Sequence, residues 1–364
     1  MTSELSVIIS KFELSGEVTE CEIYGSGLIN RTYLVKTDTE AQYILQKINT
    51  YVFNDPDGLM KNIKGVTSFL ADRITRDGGD PMRQTLNLIL TKSGESYLKD
   101  DTDDSIWRVY VFISDATAYD RADRAGLLYE AARSFGVFQR QLSDYPAETL
   151  CETIPNFHNT AARYEAFETA VAADEAGRAA SVALEIEKLR AYRPYASMIT
   201  DALSSGRIPV RVTHNDTKLN NILIDNATGK GLCVIDLDTV MPGSLLYDFG
   251  DSVRFAANNG AEDDRELDRV WLRPELFEEY VSGFLAGVED SILPAEIEML
   301  PESVLVLTYE LALRFMTDYL NGDKYFKVRS EDHNIVRTRA QIKLVEDIES
   351  KLGLMHEITE KYVK

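Results

Sequence analysis

Alternating apolar and polar residues predict a β-rich first third of the chain. Apolar residues recur with a period near two in five short segments, as expected for strands that bury one face. These segments are residues 18–24, 31–36, 42–48, 85–90 and 106–113. Helical spacing occurs over 4–12, and an amphipathic helix is predicted over 57–73. The pattern therefore indicates a five-stranded antiparallel sheet accompanied by helices.

From residue 119 onward, the apolar residues follow the period of a helix. The helical segments are 125–142, 155–171, 181–204, 274–285, 294–320 and 337–351. A β-rich apolar approach leads through residues 207–211 into a polar loop, and short strands are predicted after the loop, at 222–224 and 232–235. The expected fold class is α+β and bilobal, with a small five-stranded antiparallel N-lobe over 1–113 and a larger, mainly helical C-lobe over 114–364.

The polar loop carries the residue types that phosphoryl transfer requires. Residues 214–221 read His-Asn-Asp-Thr-Lys-Leu-Asn-Asn, and the spacing His-x-Asp-x-x-x-x-Asn is close to the catalytic loop of protein kinases. Asp216 is the candidate catalytic base, which accepts the proton of the attacking hydroxyl. Lys218 is a candidate catalytic cation at the γ-phosphate, and His214 is expected to orient the loop. An ordinary hairpin with turn-forming Asn and Asp residues is the structural alternative.

Two residues are candidate ligands for Mg²⁺. Asn221 ends the polar loop, and Asp236 ends the strand predicted at 232–235. Magnesium prefers hard oxygen ligands and shares its coordination shell with nucleotide phosphates, so an amide and a carboxylate are sufficient. Residues 248–250 also spell a metal-binding tripeptide of kinases, Asp-Phe-Gly, but no apolar strand leads into it. We therefore expect Asp248 and Asp251 to brace the loop or to border the acceptor pocket.

The predicted N-lobe supplies the nucleotide-binding residues. The candidates are Gly25, Ser26, Gly27 and Asn30 at a hairpin tip, Gln46 on the third strand and Phe112 on the fifth. Glycines at a hairpin tip let backbone N–H groups approach a triphosphate. Gln46 stands near the position where protein kinases pair a lysine with the phosphates, and strand alternation points Lys47 to the other face. Which of the two contacts the phosphates stays open, as does the use of donors other than ATP.

Composition limits the classes of partner. The formal net charge of −21 disfavours binding to a nucleic-acid polymer, which depends on basic surface. Three cysteines without a Cys-x-x-Cys pair favour a reducing compartment. The first residues lack the pattern of a signal peptide, and no apolar run reaches the ~20 residues of a spanning helix. We expect a cytoplasmic protein with small-molecule ligands, no membrane association and no obligate protein partner.

These motifs resemble the aminoglycoside phosphotransferase and choline kinase superfamily, whose fold is similar to that of protein kinases. The polar loop and residues 235–238 match its two signature segments. More closely, residues 211–221, 236–244 and 336–345 are similar to bacterial N-acetylhexosamine 1-kinases, whereas Leu28 stands where a histidine is expected. The predicted architecture puts ATP in the cleft between the two lobes, since pockets tend to lie at domain interfaces. The resemblance implies ATP-dependent phosphorylation of the anomeric C1 hydroxyl of N-acetylglucosamine or N-acetylgalactosamine.

A neutral sugar must be held by hydrogen bonds to its hydroxyl and acetamido groups. Arg314 interrupts the apolar pattern of its helix, and Tyr325 follows that helix. We expect both to bind the acceptor together with Asp216 and Asp238. The structural alternatives are an ion pair for Arg314, core packing for Tyr325 and orientation of the catalytic loop for Asp238.

Two other functions stay open at this point. A kinase of choline, homoserine or an aminoglycoside would keep the same base and metal ligands but would surround a cationic acceptor with carboxylates or aromatic rings. A nucleotide-binding pseudokinase that acts as a scaffold is a different class of protein. The intact polar loop argues against it, while Gln46 in place of a lysine leaves it some room.

Overall fold

The computed structural model describes residues 3–25, 29–122 and 124–363. Its strands are β1 (Val18–Ile23), β2 (Arg31–Thr37), β3 (Gln42–Ile48), β4 (Leu88–Ile89), β5 (Leu98–Lys99), β6 (Ile106–Val111), β7 (Ala116–Thr117), β8 (Arg211–Thr213), β9 (Ile222–Asp225), β10 (Gly231–Val234) and β11 (Met241–Gly243). Its α-helices are α1 (Ser3–Ile9), α2 (Pro56–Arg76), α3 (Pro81–Gln84), α4 (Leu127–Gln141), α5 (Thr160–Ala173), α6 (Ala183–Ala191), α7 (Met198–Ser204), α8 (Leu245–Ala256), α9 (Pro274–Val288), α10 (Pro294–Glu298), α11 (Leu300–Leu320) and α12 (His333–Glu360).

The chain divides into two compact units. The first comprises residues 1–118, 144–155 and 223–241, and the second comprises 119–143, 156–222 and 242–364. None of the helices in the described ranges is long and apolar enough to cross a membrane.

The first unit is organised around an antiparallel sheet with the strand order β1-β2-β3-β6-β4, to which β5 is added on β6. The sheet thus has six strands, where the periodicity predicts five. β5 is only two residues long, too short for an alternating pattern to reveal it. The strand predicted over 85–90 is reduced to Leu88–Ile89, whereas the first three strands lie within one residue of their predicted bounds.

Strand alternation gives the two faces of this sheet different characters. One face packs on α1 and forms a hydrophobic core, whose members are Ile8, Ile9, Phe12, Tyr33, Val35, Tyr43, Leu45, Trp107 and Val109. Neighbouring positions on β2, β3 and β6 point the other way. They bring three polar residues into cross-strand register, because Thr32 pairs with Gln46 and Gln46 pairs with Arg108. This polar row is a candidate for ligand contact.

Helix α2 has the predicted amphipathic character. Leu59, Ile63, Val66 and Leu70, the positions expected to face inward, are all buried. Asn62 on the same helix is also buried, and its side-chain nitrogen donates to the backbone carbonyls of Cys151 (2.8 Å) and Val240 (2.9 Å). These bonds satisfy carbonyls in the two later segments of the first unit. α2 therefore fixes chain segments that are distant in sequence.

The second unit is mainly helical and is built around α11, most of which is buried. Helix α11 packs against α5, α8 and α12, and α4 packs against α9. The α4–α9 contact requires glycine, because a Cβ on Gly287 would lie 2.2 Å from the carbonyl oxygen of Arg133. A Cβ on Gly136 would likewise lie 2.4 Å from the carbonyl oxygen of Phe284. This close approach fixes α4, which also braces the polar loop.

Several predicted helix boundaries are wrong. The long helix expected over 181–204 is divided into α6 and α7, and a 3₁₀ turn containing Pro194 separates them. Proline lacks a backbone donor and clashes with the preceding helical turn, which explains the break. The helix expected from residue 155 begins only at Thr160, where the side chain of Asn159 caps it. The helix expected over 294–320 is split into α10 and α11.

Candidate active site

The polar loop between β8 and β9 belongs to the second unit up to Ile222, and a buried carboxylate on α8 holds its shape. Asp248 accepts hydrogen bonds from the backbone nitrogens of His214 (2.9 Å) and Asn215 (2.7 Å). Gln139 on α4 donates to the same carboxylate at 2.7 Å and to the carbonyl of Val212 at 3.0 Å. Burial raises the pKa of Asp248, although these donors oppose the rise. Asp248 therefore braces the loop, which is one of the two roles expected for it.

His214 is fully buried between the rings of Phe135 and Phe138, whose centroids lie 5.6 and 5.9 Å from its own. Its Nδ1 atom accepts a hydrogen bond from the backbone nitrogen of Asp216 at 3.3 Å. This position agrees with a loop-orienting role and leaves the base role to a neighbouring side chain.

Three of the predicted site residues meet in this loop. The Asn221 side-chain nitrogen donates to the Asp216 carbonyl at 2.7 Å and to its carboxylate at 3.2 Å. Lys218 Nζ lies 2.7 Å from the other carboxylate oxygen of Asp216. The Asp216 side chain is 25% exposed and that of Lys218 is 52% exposed, so both reach solvent. The arrangement places a carboxylate beside a cation, with the Asn221 amide nitrogen directed at Asp216.

The residue before Asp216 is held by a contact that the sequence did not reveal. Asn215 adopts a positive φ of 64°, and its carbonyl oxygen lies 3.4 Å from Nε2 of His158. The other ring nitrogen of His158 lies 2.9 Å from the carboxylate of Glu310 on α11, which also accepts a bond from Thr160 at 2.7 Å. Burial opposes ionisation of Glu310, but His158, Arg314 and Thr160 hold its pKa below the ordinary value.

The predicted acceptor residues of the second unit lie at the end of α11. The Arg314 guanidinium lies over the rings of Phe157 (5.8 Å) and Phe326 (5.6 Å). Tyr325 is 73% exposed, so its ring is not part of a core. Asp318 on α11 accepts hydrogen bonds from the backbone nitrogens of Tyr325 (2.8 Å) and Phe326 (2.9 Å), which fixes the segment that presents the tyrosine.

The first unit contains a second polar network. On β3, Gln46 accepts a hydrogen bond from Arg108 Nε (2.9 Å) and donates to Thr32 (3.1 Å). The Arg108 side chain is 1% exposed and its Nη1 lies 2.5 Å from Oδ1 of Asp238, which is 4% exposed. Asn30 donates to the second carboxylate oxygen of Asp238 at 2.5 Å. Three predicted site residues thus meet around Arg108, which the sequence analysis did not select.

The remaining candidates of the first unit are placed as follows. Gly25 has a φ of 74° and, with Asn30, lines an open cavity of about 270 Å³ at the tip of the β1–β2 hairpin. Phe112 contacts the ring of Tyr24 edge-on, with centroids 5.7 Å apart. Asp236 adopts a left-handed conformation (φ 60°) at the start of the 3₁₀ turn Leu237–Thr239. Ser26, Gly27 and Leu28 lie outside the described residues.

Lys47 faces away from this network. Its Nζ lies 2.9 Å from the carboxylate of Asp103 and 5.3 Å from the ring centroid of Trp107. The regular β2–β3–β6 register contains no bulge at this position among the paired residues. Strand alternation therefore puts Gln46, and not Lys47, on the face that carries Arg108.

Comparison with known proteins identifies the family. The model of the phosphotransferase enzyme family, APH, matches residues 20–281. The chain belongs to the APH family. As an APH phosphotransferase it is a small-molecule kinase that transfers phosphate from ATP to a hydroxyl acceptor.

Solved structures show that this APH protein has the protein-kinase-like, mixed α+β fold that the sequence predicts. An aminoglycoside phosphotransferase from Alicyclobacillus acidocaldarius is similar with a TM-score of 0.62 and 14% identity, over 98% of this chain and 96% of its own. A microcompartment-associated aminopropanol kinase is similar with a TM-score of 0.58 and 18% identity, over 97% of this chain and 98% of its own. Amicoumacin kinase hAmiN, in complex with AMP-PNP, Ca²⁺ and Ami, is similar with a TM-score of 0.57 and 16% identity, over 92% of this chain and 88% of its own.

Each of the two candidate magnesium ligands offers an oxygen donor of the kind that this ion prefers. Because the amide nitrogen of Asn221 is directed at Asp216, the amide oxygen is the atom left to face a cation. Asp236 supplies a carboxylate from a turn that ends a strand. An amide oxygen and a carboxylate are both hard donors, so the chemistry of each residue by itself is compatible with Mg²⁺.

Proposed function

We propose that this APH phosphotransferase transfers the γ-phosphoryl group of ATP to the anomeric C1 hydroxyl of an N-acetylhexosamine. Asp216 accepts the proton of that hydroxyl, and Lys218 neutralises charge on the transferred group. Asn221 and Asp236 would hold Mg²⁺, which supplies charge neutralisation at the phosphates when bound. Residues 1–113 would bind the nucleotide, with Gly25, Asn30, Gln46 and Phe112 among its contacts, and residues 114–364 the acceptor.

The observation that carries the choice of acceptor is the setting of Arg314. Its guanidinium lies over two aromatic rings. A second cation, Arg163, is close to it: burial lowers the pKa of Arg163, and the positive charge of Arg314 lowers it further. Two neighbouring cations repel an ammonium group, whereas their N–H groups can donate to sugar hydroxyls and to an acetamido oxygen. Arg314 and the exposed Tyr325 therefore favour a neutral, hydroxyl-rich acceptor.

Amino alcohols and aminoglycosides are the second candidate class. The fold is shared with an aminopropanol kinase and with an aminoglycoside phosphotransferase, and both names describe acceptors that carry amines. A cationic acceptor would need carboxylates near Asp216. Two buried carboxylates on α11 lie four residues from Arg314, and both are already engaged. Glu310 contacts His158 and Thr160, and Asp318 accepts from the backbone nitrogens of Tyr325 and Phe326. This engagement weakens the case for an amine.

An acceptor panel tests the proposal. The protein is incubated with Mg²⁺ and ATP and with N-acetylglucosamine, N-acetylgalactosamine, choline, ethanolamine, homoserine or an aminoglycoside, and ADP release is recorded. Phosphorus NMR then shows whether the phosphate is on the anomeric oxygen. We expect turnover with an N-acetylhexosamine and a sugar 1-phosphate as product. Turnover only with amines would reject the acceptor assignment, and ATP binding without turnover on any acceptor would favour a scaffold.

The proposal includes a cytoplasmic location. The three cysteines are free thiols, which suits a reducing compartment, and ATP is the expected donor. Antibody detection of the chain in fractionated cells, together with its thiol state, would test this location.

A further inference from the structure

The sheet of the first unit lacks a lysine at the position where protein kinases use one. In those enzymes a lysine on the third strand pairs with the nucleotide phosphates. Here that strand presents Gln46 on the polar face, and Lys47 points to the opposite face toward Asp103. The cation of the polar face comes instead from the neighbouring strand, because Arg108 is the cross-strand partner of Gln46.

Arg108 is connected to the turn that contains the proposed metal ligand. Its guanidinium pairs with Asp238, and Asp238 lies two residues beyond Asp236 in the same tight turn. Burial opposes the charge of Arg108, but the carboxylates of Asp238 and, at longer range, Asp236 outweigh burial and raise its pKa. Both carboxylates of the turn therefore lie within the electrostatic reach of this one cation.

The same carboxylate also holds the hairpin that carries the candidate phosphate loop. Asn30 donates to Asp238, and the side-chain oxygen of Asn30 accepts from the backbone nitrogen of Asn49 at the end of β3. Asp238 thus links the end of the hairpin loop, the polar row of the sheet and the turn after β10. These are the segments of the first unit that the nucleotide and its metal are expected to contact.

We propose that Arg108 is a positioning residue for the magnesium–nucleotide complex: held by Gln46, it fixes Asp238 and so sets the place of Asp236. A buried ion pair contributes little net stability compared with apolar packing, so its presence in the middle of a sheet is better explained by the geometry it imposes. The inference rests on the proposed function only in taking Asp236 as a ligand of the nucleotide-bound metal. It does not depend on the identity of the acceptor.

Equilibrium binding of the non-hydrolysable nucleotide AMP-PNP tests this role without turnover. Calorimetric titrations are made with full-length protein in excess Mg²⁺ and again in EDTA, for the wild type and for Arg108→Gln, Arg108→Lys and Asp238→Asn. We expect Arg108→Gln and Asp238→Asn to weaken binding about 10- to 100-fold in Mg²⁺, the usual effect of removing a group that orients a metal ligand. In EDTA the same variants should bind within about threefold of the wild type.

Arg108→Lys keeps the charge and should lose less affinity than Arg108→Gln. The matched control is Lys47→Gln, which removes a cation from the adjacent position of β3 but from the opposite face. It should bind like the wild type in both solutions. Circular dichroism of each variant verifies folding, and Arg108→Lys or Asp238→Asn replaces Arg108→Gln if that variant does not fold.

Three results would overturn the inference. These are wild-type affinity for AMP-PNP and Mg²⁺ in Arg108→Gln and Asp238→Asn, equal losses in Mg²⁺ and in EDTA, and an equal loss in Lys47→Gln. A chain that binds the nucleotide as expected but phosphorylates no N-acetylhexosamine would disprove the proposed acceptor and leave the role of Arg108 supported. The acceptor assignment and the role of Arg108 can therefore be refuted independently of each other.

Discussion

The buried pair of His158 and Glu310 offers a test of how Asp216, the proposed catalytic base, is held. Both side chains are almost completely buried, and both ring nitrogens of His158 face acceptors, Glu310 on one side and the carbonyl of Asn215 on the other. The Asn215 contact connects the pair to the residue that precedes Asp216.

The perturbation is His158→Leu, alone and together with Glu310→Met. The single variant leaves the Glu310 carboxylate buried with Thr160 as its hydrogen-bond donor. Removing one partner of a buried pair costs about 3–5 kcal/mol, whereas replacing both partners with apolar residues is often close to neutral. With an unfolding entropy of about 0.76 kcal/mol per kelvin, from roughly 2.1 cal/mol/K for each of the 364 residues, the single variant should lose about 4–7 °C in Tm.

Activity should not follow stability. The double variant recovers most of the lost Tm, but in both variants the contact between His158 and the Asn215 carbonyl is removed. A hydrogen bond of this kind contributes about 1 kcal/mol, so we expect kcat to stay about fivefold below the wild type in both variants. The 3.4 Å contact is long for a hydrogen bond, and such contacts commonly tighten when substrate binds. Thermal unfolding by calorimetry and ADP release at saturating ATP measure the two quantities.

The pH dependence of stability gives a second readout of the same pair. Because the folded-state pKa of Glu310 is lowered, its ionised form stabilises the native state at pH values above its unfolded pKa. That contribution is lost as the pH falls through the folded-state pKa, below about 4.5. The double variant should therefore lose less Tm than the wild type when the pH is lowered below 4.5. A double variant with wild-type kcat, or a single variant with unchanged Tm, would refute the reasoning.

Three further outcomes are expected. Asp216→Asn should abolish turnover while ATP affinity, measured by calorimetry, stays near the wild-type value; retained activity would remove Asp216 from the base role. Arg314→Ala should raise the acceptor KM at least tenfold with an unchanged KM for ATP, whereas Arg329→Ala, which removes a largely exposed arginine, should change neither constant. Burial raises the pKa of the Cys233 thiol, so it should resist alkylation at pH 8 in the native protein and react once the chain is unfolded; labelling of native Cys233 would contradict this.

The sequence predicted those features that depend on local spacing. Alternation located β1, β2 and β3, because a strand that buries one face shows a period of two along its own residues. The polar loop was found because its residues are close in sequence, and the structure joins Asp216, Lys218 and Asn221 directly. The prediction of one helix over 181–204 failed because the apolar period was given more weight than Pro194. The proline is also a local signal, and in the structure it ends the helix.

The side chains that were missed are those whose partners lie far along the chain. Glu310 stands one helical turn before Arg314 on the same apolar helix, and both interrupt the pattern in the same way. Only the fold shows that Glu310 contacts His158, 152 residues earlier. An isolated charge inside an apolar helix is thus a signal of a buried partner, but it does not name that partner.

Arg108 shows the same difficulty and also what the sequence could have offered. It lies between Trp107 and Val109, both of which face the hydrophobic core, so alternation places its charge on the opposite face of β6. Its pairing with Gln46 depends on the β3–β6 register. The hydrophobic pattern excludes registers shifted by one residue, which would turn the apolar side chains to the wrong face, but it does not exclude shifts by two. The absence of a lysine at Gln46 and the presence of a charged residue at Arg108 are therefore related, and only the strand register shows that the two positions are neighbours.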